Sequence, residues 1–115
     1  HFGVFDVLTG LGERGVFEAS SILLEASRIV AGPRNDSHGA PERSFDAIAA
    51  YWQAYLDNRL DPDAPLRGSD VAGMMELLKI ARDQQSPQPF RDHALDAAGY
   101  AGIRGELRAR EADLL

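Results

Sequence analysis

Two carboxylates, Asp92 and Asp96, stand four residues apart in a segment with a helical pattern, and this spacing lets both point the same way. Carboxylate oxygens, together with waters and substrate phosphates, are the ligands that Mg²⁺ takes in proteins. Glu76, in the preceding helical segment, is the candidate third ligand, so these acids predict a catalytic Mg²⁺ or Mn²⁺ site. The alternative is that Asp92 caps its helix and Asp96 pairs with Lys79 or Arg82.

Two cations accompany the acids. Glu76, Lys79 and Arg82 follow one another at intervals of three residues, so they are neighbours on one helix surface. In a phosphate-binding site, Lys79 and Arg82 would face the phosphates and neutralise their charge. The alternative is a solvated helix face on which these charges form salt bridges.

Aromatic residues recur at helical spacing in the middle of the chain, as Tyr51, Trp52 and Tyr55. Aromatic residues at such spacing usually pack, which predicts Trp52 and Tyr55 in the core and Tyr51 at its rim. In the alternative interpretation, Trp52 or Tyr55 stacks on a nucleobase. Arg34, in the polar loop that precedes this helix, would then contact the phosphates of the same ligand.

Several classes of site are excluded. The chain has no cysteine, which removes disulfides, thiolate zinc sites and cysteine nucleophiles. Besides His1, the chain has two histidines, His38 and His93, and their separation fits no zinc-ligand spacing. There is no Gly-x-x-x-x-Gly-Lys-Ser/Thr loop, no Gly-x-Gly-x-x-Gly that follows a strand, and no Gly-x-Ser-x-Gly. The net charge of −6 argues against general binding to nucleic acid or to an anionic membrane.

Four helices are expected to position these residues, because apolar residues repeat with a helical period in four segments: 16–31, 44–57, 69–85 and 91–114. Gly32 is expected to end the first helix in a left-handed conformation, with Pro33 preventing continuation. Ser44 is the expected cap of the second helix, and Ser69 or Asp70 that of the third. The third helix is expected to end by Gln85, because two prolines follow.

The fourth helix has an expected inner stripe that consists of Leu95, Ala98, Gly102 and Ile103. Gly99, Gly102 and Gly105 are poor helix formers. Their presence predicts close backbone approach to a neighbouring element over residues 95–103, and fraying beyond Gly105.

The predicted fold class is all-α, a four-helix bundle-like domain over residues 16–115 that follows an apolar arm at 1–15. Phe2 and Phe5 in the arm would pack on the domain or on a second subunit, so a homo-oligomer is expected. No apolar run approaches the roughly 20 residues of a membrane-spanning helix, and no signal peptide is recognisable. A cytoplasmic location is therefore expected.

Three motifs carry a resemblance to a known family, over about residues 20–104. They read Ser-Phe-x-x-Ile-Ala-x-Tyr-Trp-x-x-Tyr-Leu, then Asp-Val-Ala-x-Met-Met-x-Leu-Leu-Lys-Ile-Ala-Arg, then Arg-Asp-His-x-x-Asp-x-Ala-Gly-Tyr-Ala. The pattern resembles a small family of all-helical phage and prophage proteins that is common in phages of actinobacteria. In that family a loop usually reads Asp-Tyr-Gly, where this chain has Ser37, His38 and Gly39.

That family is itself similar to the MazG-like all-α nucleoside triphosphate pyrophosphohydrolases. The likeness implies an oligomeric helical bundle that binds magnesium through a Glu-Glu-x-x-Glu helix and a Glu-x-x-Asp helix. Asp92 and Asp96 would stand for the second motif, and Glu76 for part of the first. The chain departs from the first motif at Lys79, where another acid is expected, and a positive charge there weakens a site for several metal ions.

Two functions follow from these observations. A MazG-like enzyme would bind a (deoxy)nucleoside triphosphate and hydrolyse it to the monophosphate and pyrophosphate. The alternative is a non-catalytic helical module that binds a host or phage protein. Convergence of Glu76, Asp92 and Asp96 around a polar cleft would favour the enzyme, whereas splayed or salt-bridged acids would favour the module.

Overall fold

A computed structural model describes residues 14–32 and 41–115 of the chain. Within these ranges there is no strand, and the helices are α1 (Arg14–Phe17), α2 (Ala19–Ala31), α3 (Pro41–Asp57), α4 (Gly68–Gln85) and α5 (Arg91–Glu111). The predicted all-α class is confirmed. None of these helices is long and apolar enough to cross a membrane. The predictions for residues 1–13, Arg34 and His38 lie outside the described residues.

The chain divides into two compact units, residues 1–35 and 36–115. The described part of the first unit contains α1 and α2, and that of the second contains α3, α4 and α5. The helix expected at 16–31 therefore belongs to a different unit from the other three. The four-helix bundle, the arm at 1–15 and the single domain at 16–115 stay predictions.

Helix α2 is amphipathic but buries none of its residues. The large apolar side chains of this helix are half or more exposed: Ile22, Leu23, Leu24, Ile29 and Val30. Gly32 ends the helix by donating its N–H to the carbonyl oxygen of Ile29, at 3.2 Å. The predicted left-handed conformation of Gly32 is wrong, because its φ is −90°. Pro33 explains the difference, since a proline pushes the preceding residue into extended backbone.

Helix α4 is the central element of the second unit, because it packs against α3 and, more extensively, against α5. The helix starts at Gly68, so the N-cap position falls on Arg67 rather than on the predicted Ser69 or Asp70. Asp70 nevertheless stabilises this start, because its Oδ2 accepts the backbone N–H of Arg67 at 2.9 Å, as in half of a capping box. The end at Gln85 is confirmed.

The bounds of α3 and α5 differ from the prediction at one end each. Helix α3 begins at Pro41, a residue type that suits a first helical position because its φ is already helical and it has no N–H to satisfy. The predicted cap, Ser44, lies inside this helix and is buried. Helix α5 ends at Glu111, short of the predicted end near Leu114, and Asp113 beyond it has a φ of 58°.

Gly73 allows α4 to approach both neighbouring helices closely. A Cβ atom at this position would lie 2.9 Å from Cε2 of Tyr55 on α3 and 3.1 Å from Cδ of Arg104 on α5. Trp52 secures the α3–α4 contact, because its Nε1 donates a hydrogen bond to the carbonyl oxygen of Met74 at 2.7 Å. The close approach in this unit is therefore made by a glycine of α4.

The glycines of α5 do not make the close approach that was predicted for residues 95–103. Within the described part of the chain, a Cβ atom at Gly99, Gly102 or Gly105 would meet nothing within 4 Å. The predicted fraying beyond Gly105 is also wrong, because the helix continues to Glu111.

The inner face of α5 is not the face that its apolar pattern predicts. Leu95 and Ile103 are 48% and 49% exposed, and Ala98 and Gly102 are exposed as well. Buried and half-buried residues recur at helical spacing on another face: His93, Ala97, Tyr100, Ala101, Arg104, Leu107 and Glu111. This face includes charged residues that have partners on α4, so apolar periodicity selects the wrong side.

The apolar core of the described residues is small. Its buried members are Ile48, Ala72 and Ala81, and no large side chain is fully buried. On α4, the apolar residues whose helical period predicts the helix include Ala81, which is buried, but also Val71 and Ile80, which are 52% and 43% exposed. Polar contacts between the helices therefore contribute much of what fixes how the helices pack.

Candidate functional site at the α4–α5 interface

Glu76, the predicted metal ligand of α4, faces a guanidinium of α5. Nε of Arg104 donates a hydrogen bond to Oε2 of Glu76 at 2.5 Å, and the Glu76 side chain is only 18% exposed. The hydrogen bond and charge of Glu76 raise the pKa of Arg104 above its ordinary value. The negative charge of Glu76 is therefore neutralised within the interface.

Asp96, the second predicted ligand, is paired with a lysine of α4. Nζ of Lys79 lies 2.9 Å from Oδ2 of Asp96, and the side chains are 20% and 47% exposed. Lys79 therefore contacts a carboxylate of its own chain, at the position where the resemblance to MazG-like enzymes leads one to expect an acid. This pairing is one of those that the non-catalytic interpretation predicts.

Asp92 is exposed and lies in the first turn of α5, where the helix dipole favours a carboxylate. Among the described residues, no group of three or more histidine, aspartate or glutamate side chains could hold a metal ion. The fold therefore brings Glu76 and Asp96 to one helix interface, but it does not gather them with Asp92 into one ligand set.

Arg82, the second predicted phosphate ligand, differs from Lys79 in its surroundings. It is half-buried, and its Nε is buried without a hydrogen-bond partner in the described part of the chain, as is Oγ of Ser86 four residues later. At the start of α5, His93 is 7% exposed, and the Phe90 ring packs edge-on against it at a centroid distance of 5.9 Å. This end of the α4–α5 interface is therefore enclosed.

Both aromatic residues predicted for base stacking donate hydrogen bonds to α4. Trp52 donates to the Met74 carbonyl, and the Tyr55 hydroxyl donates to Oδ1 of Asp70 at 2.9 Å. Burial, followed by this hydrogen bond, raises the pKa of Tyr55. The backbone N–H of Arg67 is the main cause that lowers the pKa of Asp70. The two rings therefore hold α3 against α4.

A groove of about 650 Å³ opens at the N-terminal end of α4, and no sequence pattern predicted it. Its charged lining residues come from the 58–67 loop, α4 and α5: Arg59, Asp61, Arg67, Asp70, Arg108 and Glu111. The signal available in the sequence is slight, because Arg59 and Arg67 only flank the prolines of a loop. Arg108 is too distant in the chain to have been grouped with them.

Residues 21–108 of the chain match a known protein family. Within the described residues the fold is all-helical, with a polar interface between the long helices α4 and α5. The family whose model matches is described as a domain of unknown function (DUF6378). The chain belongs to this family.

Two curated relatives come from mycobacteriophages. The chain is 39% identical over 84 residues to the Gene 55 protein of Mycobacterium phage D29, which covers 73% of this chain and 51% of that protein. It is 35% identical over 91 residues to the Gene 55 protein of Mycobacterium phage L5, which covers 79% and 54%. The chain spans about half the length of the curated relatives it matches. No solved structure matches it.

These relatives confirm the predicted resemblance to a small family of phage proteins. The further similarity to MazG-like enzymes stays a prediction.

Proposed function

We propose that this chain is a non-catalytic helical module that binds another protein chain. The observation that carries the proposal is the pairing of the predicted catalytic acids, Glu76 with Arg104 and Asp96 with Lys79. A metal ligand keeps carboxylate oxygens open to a cleft, whereas each of these acids already has a cation. Salt-bridged acids are the arrangement that favours a module over an enzyme.

The cost of converting this interface into a metal site supports the same proposal. A divalent ion between Glu76 and Asp96 would have to replace two ion pairs and would lie close to Lys79 and Arg104. Like charges repel strongly where water is partly excluded, and an arginine cannot lose its proton to relieve the repulsion.

Helix α2 supplies a binding surface for the module. Its stripe alternates small and large side chains, Ala19, Leu23, Ala26 and Val30, at intervals of four, three and four residues. This spacing suits knobs-into-holes packing with another helix, and exposed apolar patches commonly mark protein-binding sites. We propose that the occupant is α2 of a second copy, because the alternation makes the stripe complementary to itself, as a two-fold interface requires.

The oligomeric state tests this surface. We expect multi-angle light scattering to give a mass above that of the monomer for the native chain, and Leu23→Glu to reduce it to the monomer. Ser21→Glu is the matched control, since it places the same charge on the polar side of α2 and should leave the mass unchanged. A native monomer would contradict the self-association, and an equal effect of both variants would contradict the assignment to the stripe.

A thermal-shift screen with nucleoside triphosphates, with and without Mg²⁺ or Mn²⁺, tests whether the chain has the metal-dependent nucleotide site that an enzyme would need. A ligand that binds only the folded state at 100 times its Kd adds about 2.7 kcal/mol of stability, so binding would be readily detected. We expect no shift that requires both nucleotide and metal. Such a shift would contradict the proposal, whereas a shift with nucleotide alone would indicate nucleotide binding without hydrolysis.

A second candidate is a MazG-like protein with a four-helix bundle that binds, and hydrolyses, a (deoxy)nucleoside triphosphate with Mg²⁺ or Mn²⁺. It is favoured by the meeting of Glu76, Lys79 and Asp96 at one interface, with Asp92 one turn before Asp96. The metal would displace Lys79 from Asp96, so that Lys79 would be free for the phosphates. The other proposed contacts are Arg34 and Arg82 to the phosphates, and Trp52 or Tyr55 to the base.

Release of pyrophosphate tests the second candidate. If it is right, Asp96→Ala abolishes metal-dependent turnover, while Glu106→Ala on the same helix, which removes only an exposed partner of Arg110, leaves it unchanged. Full turnover by Asp96→Ala would contradict the assignment of the metal ligands.

A further inference from the structure

The groove at the N-terminal end of α4 is electrostatically unlike the α4–α5 interface. Three arginines line it: Arg59 and Arg67 from the two ends of the 58–67 loop, and Arg108 from α5. We infer that this groove binds the oxyanion group of a small organic molecule, either a phosphate monoester or a carboxylate. The inference goes beyond the proposed function, because it uses neither the apolar stripe of α2 nor the paired acids of the α4–α5 interface.

The carboxylates that line the groove already have hydrogen-bond partners within the fold. Each accepts a hydrogen bond from a backbone N–H: Asp61 from that of Asp63, Asp70 from that of Arg67, and Glu111 from that of Ser69. Glu111 also accepts the Ser69 hydroxyl at 2.6 Å, so a carboxylate of α5 itself occupies the N-terminus of α4. The acids are therefore held in place by donors other than the arginine side chains, apart from the contact of Asp70 with Arg59.

The arginines divide into one structural residue and two available ones. Arg59 is anchored, because its Nη2 donates to the Pro62 carbonyl at 2.8 Å and its Nη1 lies 3.7 Å from Oδ2 of Asp70. Within the described residues, the guanidiniums of Arg67 and Arg108 make neither a hydrogen bond nor an ion pair. Arg108 influences Asp70 only through its charge. Two exposed guanidiniums that line one groove therefore retain their donors for a ligand.

The chemistry and size of the groove define the ligand class. A guanidinium presents a planar fork of donors that matches the oxygens of a phosphate or carboxylate. A volume of about 650 Å³ falls within the range of small-molecule sites and far exceeds one inorganic anion. Tyr55, Ala64 and Pro65 add apolar surface to the lining, so the oxyanion is expected to belong to an organic molecule.

Isothermal titration calorimetry of the full chain tests the site, with ribose 5-phosphate and citrate as probes and uncharged ribose as the ligand control. We expect at least one probe to bind and Arg67→Gln/Arg108→Gln to weaken its binding about tenfold or more, because charge-assisted hydrogen bonds are lost. Arg110→Gln is the matched control, since it removes the same charge from α5 outside the groove lining and should change the Kd less than about twofold.

The outcomes separate the sources of the oxyanion. Binding of ribose 5-phosphate alone assigns a phosphate ligand, and binding of citrate alone assigns a carboxylate ligand. The inference is overturned if neither probe binds with a Kd below about 10 mM, if ribose binds equally well, or if Arg110→Gln weakens binding as much as the double variant. These titrations contain no metal and leave α2 unchanged, so their failure is distinct from failure of the proposed function.

Discussion

The two ends of α4 use the same kinds of charged residue in opposite ways. Toward its C-terminal half, side-chain cations of the interface neutralise the acids, as in the Lys79–Asp96 pair. At its N-terminal end, a backbone N–H is the main group that stabilises Asp70, and Arg67 and Arg108 keep no acid partner among the described residues. The availability of a charge for a ligand therefore depends on which partner the packing provides, and not on the residue type.

Gly73 lies between these two ends, and its substitution should have the largest effect on them. In Gly73→Ala, the new Cβ would lie 2.9 Å from the Tyr55 ring, which is held by its hydrogen bond to Asp70. We expect a loss of about 2 kcal/mol in the free energy of unfolding, as for other overpacked sites, measured by urea denaturation.

Gly99→Ala is the control for Gly73→Ala, because a Cβ at Gly99 meets nothing within 4 Å among the described residues. Alanine is the better helix former by roughly 0.5–1 kcal/mol, so this variant should be more stable than the native chain. Equal destabilisation by the two substitutions would contradict the close approach at Gly73.

Asp70 makes the N-terminal end of α4 sensitive to acid. Because its pKa is lowered in the fold, its stabilisation is present above its ordinary value of 3.8 and is lost as the pH falls below that value. Asp70→Asn should cost about 1.5 kcal/mol at neutral pH, and the difference from the native chain should shrink in acid. Chemical denaturation at several pH values measures both.

Asp83→Asn is the matched control for Asp70, because Asp83 is an exposed acid on the same helix. It should change the free energy of unfolding by less than about 0.5 kcal/mol. A cost for Asp70→Asn that stays constant from neutral pH to strong acid would show that its charge does not stabilise the N-terminus of α4.

Glu76→Gln tests the less exposed ion pair of the α4–α5 interface. We expect a loss of about 1 kcal/mol, which is below the roughly 1.5–3 kcal/mol of a hydrogen bond to a charged group, because the Arg104 side chain is 36% exposed. Glu106→Gln removes a pair in which both side chains are more than half exposed, and should cost no more than about 0.5 kcal/mol. A gain in stability for Glu76→Gln would contradict the pairing with Arg104.

The Lys79–Asp96 pair should show the smallest effect, because Asp96 is 47% exposed. A double-mutant cycle with Lys79→Gln and Asp96→Asn should give a coupling energy of about 0.2–1 kcal/mol that decreases in high salt. If Asp96→Asn instead stabilises the chain, Asp96 is repelled by its neighbours, as an empty metal site would require, and the second candidate function gains support.

The sequence was most informative where the determining signal is local. The end of α4 at Gln85 follows from Pro87 and Pro89, and the helical class follows from apolar periodicity over each segment. The prediction failed on α5, because periodicity counts apolar residues and the true inner face includes His93 and Arg104. The same limit explains why the glycines of α5, and not Gly73, were expected to make the close contact.

The candidate site was only partly predictable for a related reason. Sequence spacing correctly offered Lys79 as one partner for Asp96, because both could be placed on neighbouring helices. It could not identify Arg104 as the partner of Glu76, 28 residues away, nor group Arg108 with the loop that contains Arg67. These associations depend on which face of α5 is turned toward α4, and no local sequence pattern specifies that orientation.

By itself, therefore, the sequence determined that the chain is all-α, where α4 ends, and which charged residues could take part in chemistry. Helix periodicity and proline act within a few residues, so these properties need no tertiary contact. The tertiary structure alone decided that Glu76 is neutralised by Arg104, while Arg67 and Arg108 form no ion pair with any of the described residues. The physical reason is that an ion pair forms only when packing brings distant side chains within a few ångströms, and that packing depends on close contacts such as the one at Gly73.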